Sequence, residues 1–257
     1  MKVFILGCGA IGSEIAAGLE PMDSVTDVYL LDTRRETATA LAARLHKARP
    51  VDTLKVGLEA ADLVVEAASQ QALHECAPEI LRAGKDLIVL SVGALADVHL
   101  LNSLLRIATE SGARLHVPSG AVGGLDLLLA AREAGLDEVT LTTAKPPRAV
   151  GYEEVDEETV LYEGPAREAV KKFPKNVNVA AAISLAGIGF ENTRVRLTAD
   201  PTLERNTHRI TVRGVFGEMS ITVSNEPHPK NPATSYLAPL AALALIRKLS
   251  SPLRVGT

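Results

Sequence analysis

The chain begins with a short apolar run that leads directly into a glycine-rich turn, Gly7-Cys8-Gly9-Ala10-Ile11-Gly12. This G-x-G-x-x-G pattern lies between a predicted strand and a predicted helix, where its glycines allow a tight turn, close approach of a pyrophosphate and close packing of helix on strand. Asp32 follows by 20 positions, at the end of the second predicted strand, where a carboxylate accepts hydrogen bonds from a ribose. The pattern predicts a dinucleotide site made of Gly7, Gly9, Ala10, Ile11, Gly12 and Asp32. A strand–helix turn without a ligand is the alternative.

Residues beside Asp32 bear on the choice between NAD and NADP. The carboxylate repels the 2′-phosphate of NADP, whereas Arg34 and Arg35, directly after it, offer cations to that phosphate. We therefore expect NAD to be preferred and NADP to be tolerated. An S-adenosylmethionine methyltransferase also has a glycine-rich loop and an acid after its second strand, so it stays an alternative on these residues alone.

Short strand-like runs and helical patterns alternate over residues 1–118. Runs that are apolar on both faces, as in parallel strands covered by helices, lie at residues 2–6, 27–31, 62–66, 86–90 and 113–117. Apolar residues at helical spacing lie between them, at residues 11–19, 34–48, 70–83 and 96–109. The alternation predicts an α/β domain over residues 1–118 with a Rossmann-type doubly wound parallel sheet.

The pattern changes after residue 118. A helix is predicted over residues 122–134, a strand over 138–144 and a helix of small residues over 176–186. Three alternating runs, residues 193–198, 208–213 and 218–223, predict an antiparallel meander. We therefore expect a second, α+β domain with a largely antiparallel sheet over residues 119–232. A closing helix is predicted over residues 233–249, and the segment 233–257 is expected to pack back on the first domain.

Composition limits the classes of protein that fit the chain. Its 257 residues include 27 basic and 31 acidic side chains, and this balance gives no electrostatic reason to bind nucleic acid or an anionic membrane. The longest apolar stretches fall short of the roughly 20 residues that a membrane span requires. Only two cysteines occur, Cys8 and Cys76, which excludes a disulfide framework and a four-cysteine zinc site. We expect a cytoplasmic protein without a metal site.

One histidine lies in an unusual context. His228 belongs to a polar loop, residues 224–232, where Pro227 and Pro229 restrict its backbone. A catalytic acid–base role and a rigid linker that contains a histidine are equally compatible with this pattern. His208 is at the start of a predicted strand, where a structural role is expected.

Two further segments are candidates for ligand contact. Residues 118–126, which include Ala121, place small side chains after the carboxyl end of a predicted strand, where open sheets bind ligands. A flexible hinge is the alternative. Asn176 suits a helix N-cap, whereas Asn178 is expected one turn inside a buried helix, where its amide needs a polar partner.

Taken together, these segments resemble the L-aspartate dehydrogenase family. The resemblance spans essentially the whole chain and keeps the motif order: GCGAIG (7–12), PSGAVGGLD (118–126), KPPR (145–148), FPKNVNVAAAISLAGIGF (173–190), ADPTLERNTHRI (199–210) and PHPKNPATS (227–235). One departure is Glu226, a charged residue directly before the Pro-His-Pro.

The resemblance implies a homodimer that converts L-aspartate and NAD(P)⁺ to oxaloacetate and ammonia through iminoaspartate, which can also feed NAD biosynthesis. The second domain would then bind the substrate and form the dimer contact. By motif position, the catalytic histidine of the family falls on His228, and the contacts near the nicotinamide fall on Ala121 and Asn178. The two substrate carboxylates need cationic or amide donors, and the candidates are Lys145, Arg148, Lys230 and Asn231.

Other functions stay open at this stage. A reductase of another small imine or carbonyl acid fits the same dinucleotide domain, and Lys145-Pro146 is similar to the Lys-Pro motif of sugar oxidoreductases. An acylating semialdehyde enzyme is excluded because both cysteines precede residue 77, outside the catalytic half. A non-catalytic NAD-sensing protein would bind the cofactor without turning over an amino acid.

Overall fold

The computed structural model describes residues 1–152, 155–173 and 178–256. These residues form two compact units. The first domain comprises Met1–Pro118 and Pro239–Val255, and the second comprises Ser119–Ala238 and Gly256. In this described part of the chain, no helix combines the length and the hydropathy that a membrane crossing needs.

The first domain alternates strands and helices along the chain. A 3₁₀ helix, Val92–Ala96, follows its fifth strand. The other elements are β1 (Lys2–Leu6), α1 (Ala10–Leu19), β2 (Asp27–Leu31), α2 (Arg35–Ala42), β3 (Ala48–Pro50), α3 (Leu54–Ala60), β4 (Leu63–Glu66), α4 (Gln70–Arg82), β5 (Asp86–Val89), α5 (Val98–Ser111) and β6 (Leu115–His116).

These six strands form one parallel sheet in the order β3-β2-β1-β4-β5-β6. All four residues of β4 and the last four of β1 are buried, as expected for strands covered by helices on both faces. The predicted Rossmann-type sheet is confirmed. The strand order reverses between β1 and β4, and ligands of such sheets bind outside the carboxyl ends of the strands at this switch point.

The third strand was not predicted. The helix predicted over residues 34–48 is wrong in its second half, because α2 ends at Ala42 and β3 begins at Ala48. β3 pairs with β2 at the sheet edge, and Arg49 forms an ion pair with Asp27 at 3.2 Å. A three-residue edge strand with a charged side chain has too little apolar periodicity to be recognised in a sequence.

The second domain is richer in short elements. Its helices and strands are α6 (Leu125–Arg132), β7 (Leu136–Lys145), α7 (Pro147–Val150), β8 (Thr159–Pro165), α8 (Ala166–Lys172), α9 (Asn178–Ala186), α10 (Gly189–Asn192), β9 (Arg194–Ala199), β10 (Asn206–Gly214), β11 (Gly217–Asn225), β12 (Pro227–His228) and β13 (Asn231–Ser235).

The main sheet of this domain is mixed and mostly antiparallel, in the order β11-β10-β7-β9-β8. The predicted meander of three consecutive strands is wrong in one pairing, because β9 lies beside β7 and runs parallel to it instead of pairing with β10. The described part of the connection from β7 to β9 contains a strand and four helices, which gives it the length that a parallel crossover requires. The central position of β7 brings residues of β9 and β10 to the same face.

That face of the sheet, the inner face, is buried. It carries Val139 and Leu141 of β7 and Ile210 and Val212 of β10. A Cβ atom at Gly187, directly after α9, would lie 3.4 Å from Cγ2 of Val139, so the carboxyl end of α9 lies against the inner face.

The segment before the last helix forms a hairpin instead of a loop. Residues 231–235 pair with β12 as β13, and the closing helix α11 (Leu237–Ser250) begins four residues later than predicted. Ala242 and Ile246 of α11 are fully buried in the core cluster that contains Ile15 and Leu19 of α1. The last helix is therefore part of the first domain's core.

Candidate active site

The glycine turn of the first domain has the geometry of a phosphate cradle. Gly7 has a φ of +91°, and a Cβ atom there would lie 2.6 Å from the carbonyl oxygen of Ala67. A Cβ atom at Gly12 would overlap the carbonyl oxygen of Gly7. Around Gly9, by contrast, a Cβ atom would meet no atom within 4 Å. Two glycines therefore permit the turn, and the third leaves space for a ligand.

Helix α1 supplies the donors for that ligand. Its N-cap is Gly9, which has no side chain to cap the helix, so the backbone N–H groups of the first turn face outward from the helix end. Ala10 and Ile11 belong to this turn and are half-buried. A helix N-terminus of this kind binds a pyrophosphate through its N–H groups and partial positive charge.

Asp32 is held in place at the end of β2. Its two carboxylate oxygens accept the backbone N–H groups of Cys8 (2.8 Å) and Arg34 (2.9 Å). Burial and the charge of Asp32 raise the pKa of the Cys8 thiol to about 12, so Cys8 packs as a neutral side chain. The acid predicted to bind the adenosine ribose is thus fixed beside the glycine turn, and the described residues fit a dinucleotide.

The inner face of the second domain ends in polar side chains, which we call the inner-face polar cluster: Thr143, Lys145, Asn206 and His208. Thr143 pairs with His208 across β7 and β10, and Thr143 Oγ1 lies 2.9 Å from His208 Nδ1. All four residues are buried. A polar set at the end of an apolar sheet face is the arrangement of a ligand site.

Two members of the cluster are basic groups with lowered pKa values. Burial lowers the pKa of Lys145 to about 8. Burial, and next the positive charge of Lys145, lower the pKa of His208 to about 3. At neutral pH the cluster therefore combines a buried ammonium with a neutral imidazole.

Asn206 and Asn225 are neighbours on paired strands with different hydrogen bonding. Asn225 Nδ2 donates to the carbonyl oxygen of Ala121 at 2.8 Å, which fixes the segment after residue 118. Asn206 is only 1% exposed, and within the described ranges neither atom of its amide has a hydrogen-bond partner. A buried amide without a partner is costly, which favours a role in binding a polar ligand.

His228 lies on the β12–β13 hairpin of the second domain. Its ring is 1% exposed, packs edge-on against Tyr236 at a centroid distance of 5.7 Å, and accepts the N–H of Lys230 at Nδ1 (3.1 Å). Asn231 pairs with His228 across the hairpin, is exposed, and donates to Thr234 Oγ1 at 3.4 Å. The proline-flanked segment thus holds an ordered imidazole.

Asn178 is exposed and not buried as expected, and it is the first described residue of α9. Asn176 lies outside the described residues. Ala121 is buried, with its carbonyl oxygen bound to Asn225.

The inner-face polar cluster was missed in the sequence, except for Lys145. His208 was assigned a structural role because it starts a strand. The informative signal was the alternation of β10, which places Asn206 and His208 on the same face as the apolar Ile210 and Val212. Within the residues that the structure describes, no group of three or more His, Cys, Asp or Glu side chains is placed to bind a metal ion.

Two family models match successive parts of the chain. Residues 7–118 match the family model described as the NAD-binding domain of homoserine dehydrogenase, and residues 126–249 match the one described as the C-terminal domain of aspartate dehydrogenase. An amine dehydrogenase structure from Mycobacterium smegmatis (14% identity, TM-score 0.60, 98% of this chain and 92% of that one) shares the fold.

More similar proteins resemble the chain from end to end. It is 46% identical to an L-aspartate dehydrogenase of Methanosarcina barkeri, with 100% of both chains covered. It is 42% identical to L-aspartate dehydrogenase 2 of Bordetella bronchiseptica over 99% of both. The crystal structure of aspartate dehydrogenase from Thermotoga maritima superposes with a TM-score of 0.84 at 30% identity, covering 100% of this chain and 99% of that one. The chain therefore belongs to the L-aspartate dehydrogenase family.

Proposed function

We propose that this protein catalyses the NAD-dependent oxidative deamination of L-aspartate to oxaloacetate and ammonia through iminoaspartate. The 46% identity to an L-aspartate dehydrogenase over the full length of both chains supports L-aspartate as the substrate. The glycine turn with Asp32 beside it supports NAD as the cofactor. The observation that carries the chemistry is the buried ammonium of Lys145 beside the neutral imidazole of His208. This pair matches an anionic substrate that must exchange protons.

The overall reaction shows which groups the side chains must bind and which protons they must transfer. L-Aspartate, water and NAD⁺ give oxaloacetate, ammonium, NADH and a proton. When bound, NAD accepts the hydride from Cα of aspartate, leaving an imine that water then attacks. The side chains of this chain must therefore bind two carboxylates, orient Cα, and move protons during hydrolysis of the imine.

Lys145 is the proposed carboxylate-binding group. A buried ammonium attracts a carboxylate strongly because little water competes for either charge. Asn206 lies on the same inner face and would donate its amide N–H to the same substrate. Asn231, the other residue predicted to bind substrate, lies exposed on the β12–β13 hairpin and stays a weaker proposal.

Two imidazoles are candidates for the acid–base role. His228 stays a proposal from its motif position, but its Nδ1 accepts the N–H of Lys230, so its neutral ring carries the proton on Nε2 and can donate but not accept. His208 shares the cluster with Lys145, and substrate carboxylates that offset the charge of Lys145 would remove the smaller of the two causes that lower the pKa of its imidazole. The geometry favours His208 as the base that activates water.

The cofactor contacts proposed beyond the glycine turn are Ala121 and Asn178.

We also propose that NADP is tolerated, that the protein is a homodimer, and that its iminoaspartate can supply NAD biosynthesis. Light scattering tests the homodimer, since a particle with the mass of one chain would contradict it.

The experiment that tests the activity is NADH formation with a panel of L- and D-amino acids that includes aspartate, glutamate and alanine. We expect turnover with L-aspartate. Activity with a different amino acid would keep the dehydrogenase chemistry and replace the substrate. Reduction of another imine or keto acid without aspartate oxidation would identify a reductase. Cofactor binding without any turnover would identify an NAD-sensing protein.

A further inference from the structure

The first domain contains a buried carboxylate to which the proposed chemistry gives no role. Glu66 is the last residue of β4 and is fully buried. It pairs with Leu6 of β1 on one side and with Val89 of β5 on the other. Glu66 therefore lies at the carboxyl edge of the sheet, beside the switch point where the strand order reverses.

Three hydrogen bonds tie this carboxylate to the two loops that leave the sheet edge. Glu66 Oε1 accepts the backbone N–H of Ala68 and the hydroxyl of Ser91, both at 2.8 Å. Glu66 Oε2 accepts the backbone N–H of Ser91 at 2.9 Å. Burial raises the pKa of Glu66, and the hydrogen bonds from Ala68 and Ser91 reduce this shift without reversing it, because they stabilise the ionised form.

The loop after Glu66 is in contact with the glycine turn. A Cβ atom at Gly7 would lie 2.6 Å from the carbonyl oxygen of Ala67 and 2.8 Å from Cα of Ala68. The N–H of Ala67 also donates to the carbonyl oxygen of Leu6 at 2.8 Å. A displacement of this loop would therefore displace the first glycine of the cofactor site.

The position along the sheet indicates which half of the cofactor lies closest. In a doubly wound sheet each half binds one mononucleotide, and Asp32 at the end of β2 marks the adenosine half. The nicotinamide half then belongs on the side of β4 and β5, where Glu66 lies. The nicotinamide ring carries a positive charge in NAD⁺ and none in NADH.

We propose that Glu66 is a positioning residue of the cofactor site, which fixes the loops after β4 and β5 through its hydrogen bonds and, in its ionised form, favours the oxidised over the reduced cofactor. The proposal rests on NAD binding by the first domain and not on the identity of the substrate. It gives the buried carboxylate a function that apolar packing would not provide, since burying an anion is costly unless its charge is used.

The test measures dissociation constants of NAD⁺ by calorimetry and of NADH by fluorescence, without an amino acid. Glu66→Gln keeps the shape and removes the charge, and we expect NAD⁺ to lose about tenfold more affinity than NADH. Glu66→Asp keeps the charge but shortens the reach, so both forms should weaken while their ratio stays near that of the native protein. Because no substrate is present, failure of aspartate oxidation would leave this result unaffected.

Ser91→Ala tests the fixing of the loops even if Glu66→Gln does not fold. It removes one donor to Glu66 and leaves the charge, so both cofactor forms should weaken about fivefold with an unchanged ratio. Glu110→Gln, in an exposed pair with Arg106, is the matched surface control and should bind both forms normally. Equal weakening of NAD⁺ and NADH in a folded Glu66→Gln variant would overturn the role of the charge. Native affinities in Ser91→Ala would overturn the fixing of the loops.

Discussion

The glycine turn of the first domain and the inner-face polar cluster of the second differ in how far apart their residues lie in the chain. The turn places its phosphate-binding groups within residues 7–12, in one strand–helix connection. In the cluster, Thr143 and His208 are 65 positions apart and meet only because β7 pairs with β10. The glycine turn is therefore determined by neighbouring residues in the chain, whereas the cluster depends on strand register.

A second difference lies in what each site does with charge. The glycine turn uses backbone N–H groups and a helix end, whose partial charges do not titrate. The cluster uses Lys145 and His208: burial lowers the pKa of both, and the charge of Lys145 lowers that of His208 further. Changes in the second domain should therefore alter the chemical step and its pH dependence, and changes in the first should alter cofactor affinity.

The largest expected effect separates the two imidazoles. We expect His208→Ala to lower kcat by about 10²–10⁴-fold, because a general base contributes that much, with the dissociation constant of NAD nearly unchanged. His228→Ala should lower kcat less, since its Nδ1 already accepts the N–H of Lys230. Steady-state kinetics with L-aspartate, together with NAD titrations, measure both variants. If His228→Ala shows the large loss and His208→Ala near-normal turnover, the assignment from motif position is correct.

The next effect is expected at Lys145. Lys145→Met keeps a long apolar side chain and removes the buried cation, so kcat/KM for aspartate should fall about 10²-fold while NAD affinity is unchanged. Arg148, in the next helix and not buried, provides the matched control, because Arg148→Met removes a cation of the neighbouring segment. Equal losses in the two variants would show that Lys145 has no special role.

The lowered pKa of Lys145 predicts how kcat/KM for aspartate changes at alkaline pH. Its folded pKa of about 8 lies below the usual value of a lysine, so the ammonium that binds the carboxylate is lost as the pH rises through that value. We expect kcat/KM for aspartate to fall about tenfold for each pH unit above it. Deprotonation of the substrate amine is common to all variants, so the ratio of native protein to Lys145→Met isolates the lysine. A ratio that does not change between pH 7 and 10 would contradict this assignment.

The difference in locality explains what could be predicted from the sequence. Spacing alone placed Gly7, Gly12 and Asp32, because a strand, a turn and a helix that are consecutive in the chain have one geometry. Strand partners have no such local signal, so the parallel pairing of β9 with β7 was not predicted, and neither was the meeting of His208 with Lys145. Register depends on which face of each strand is buried in the complete domain.

Strand alternation, and not the sequence context of the histidines, indicated the buried cluster. His228 drew attention because prolines flank it, yet those prolines belong to a short hairpin. His208 looked structural because it begins a strand, although its place two residues before Ile210 on β10 put it on the inner face. A polar residue that continues an apolar face toward a strand end is the pattern that indicated the buried cluster.

Within the glycine turn, two glycines should respond differently to a methyl group. Gly12→Ala forces a Cβ atom onto the carbonyl oxygen of Gly7, and we expect the free energy of unfolding to fall by about 3 kcal/mol. Gly9→Ala has space and a φ of −70°, so stability should be unchanged while NAD binds about tenfold more weakly. Thermal unfolding and NAD titration measure the two effects. Normal NAD affinity in Gly9→Ala would show that the pyrophosphate does not approach this residue.

The smallest expected effect concerns the two arginines after Asp32. Arg35 forms an ion pair with Asp52 at 2.9 Å, whereas Arg34 lies directly beside the carboxylate and its backbone N–H is bound to it. Arg34→Ala should therefore weaken NADP about fivefold and leave NAD unchanged, and Arg35→Ala should change neither by as much. Both side chains are exposed, so salt should screen their attraction to the phosphate. In 0.5 M salt the Debye length is about 4 Å, and the loss of NADP affinity in Arg34→Ala should be smaller there. A loss of NADP affinity confined to Arg35→Ala would show that the phosphate competes with Asp52 for that arginine.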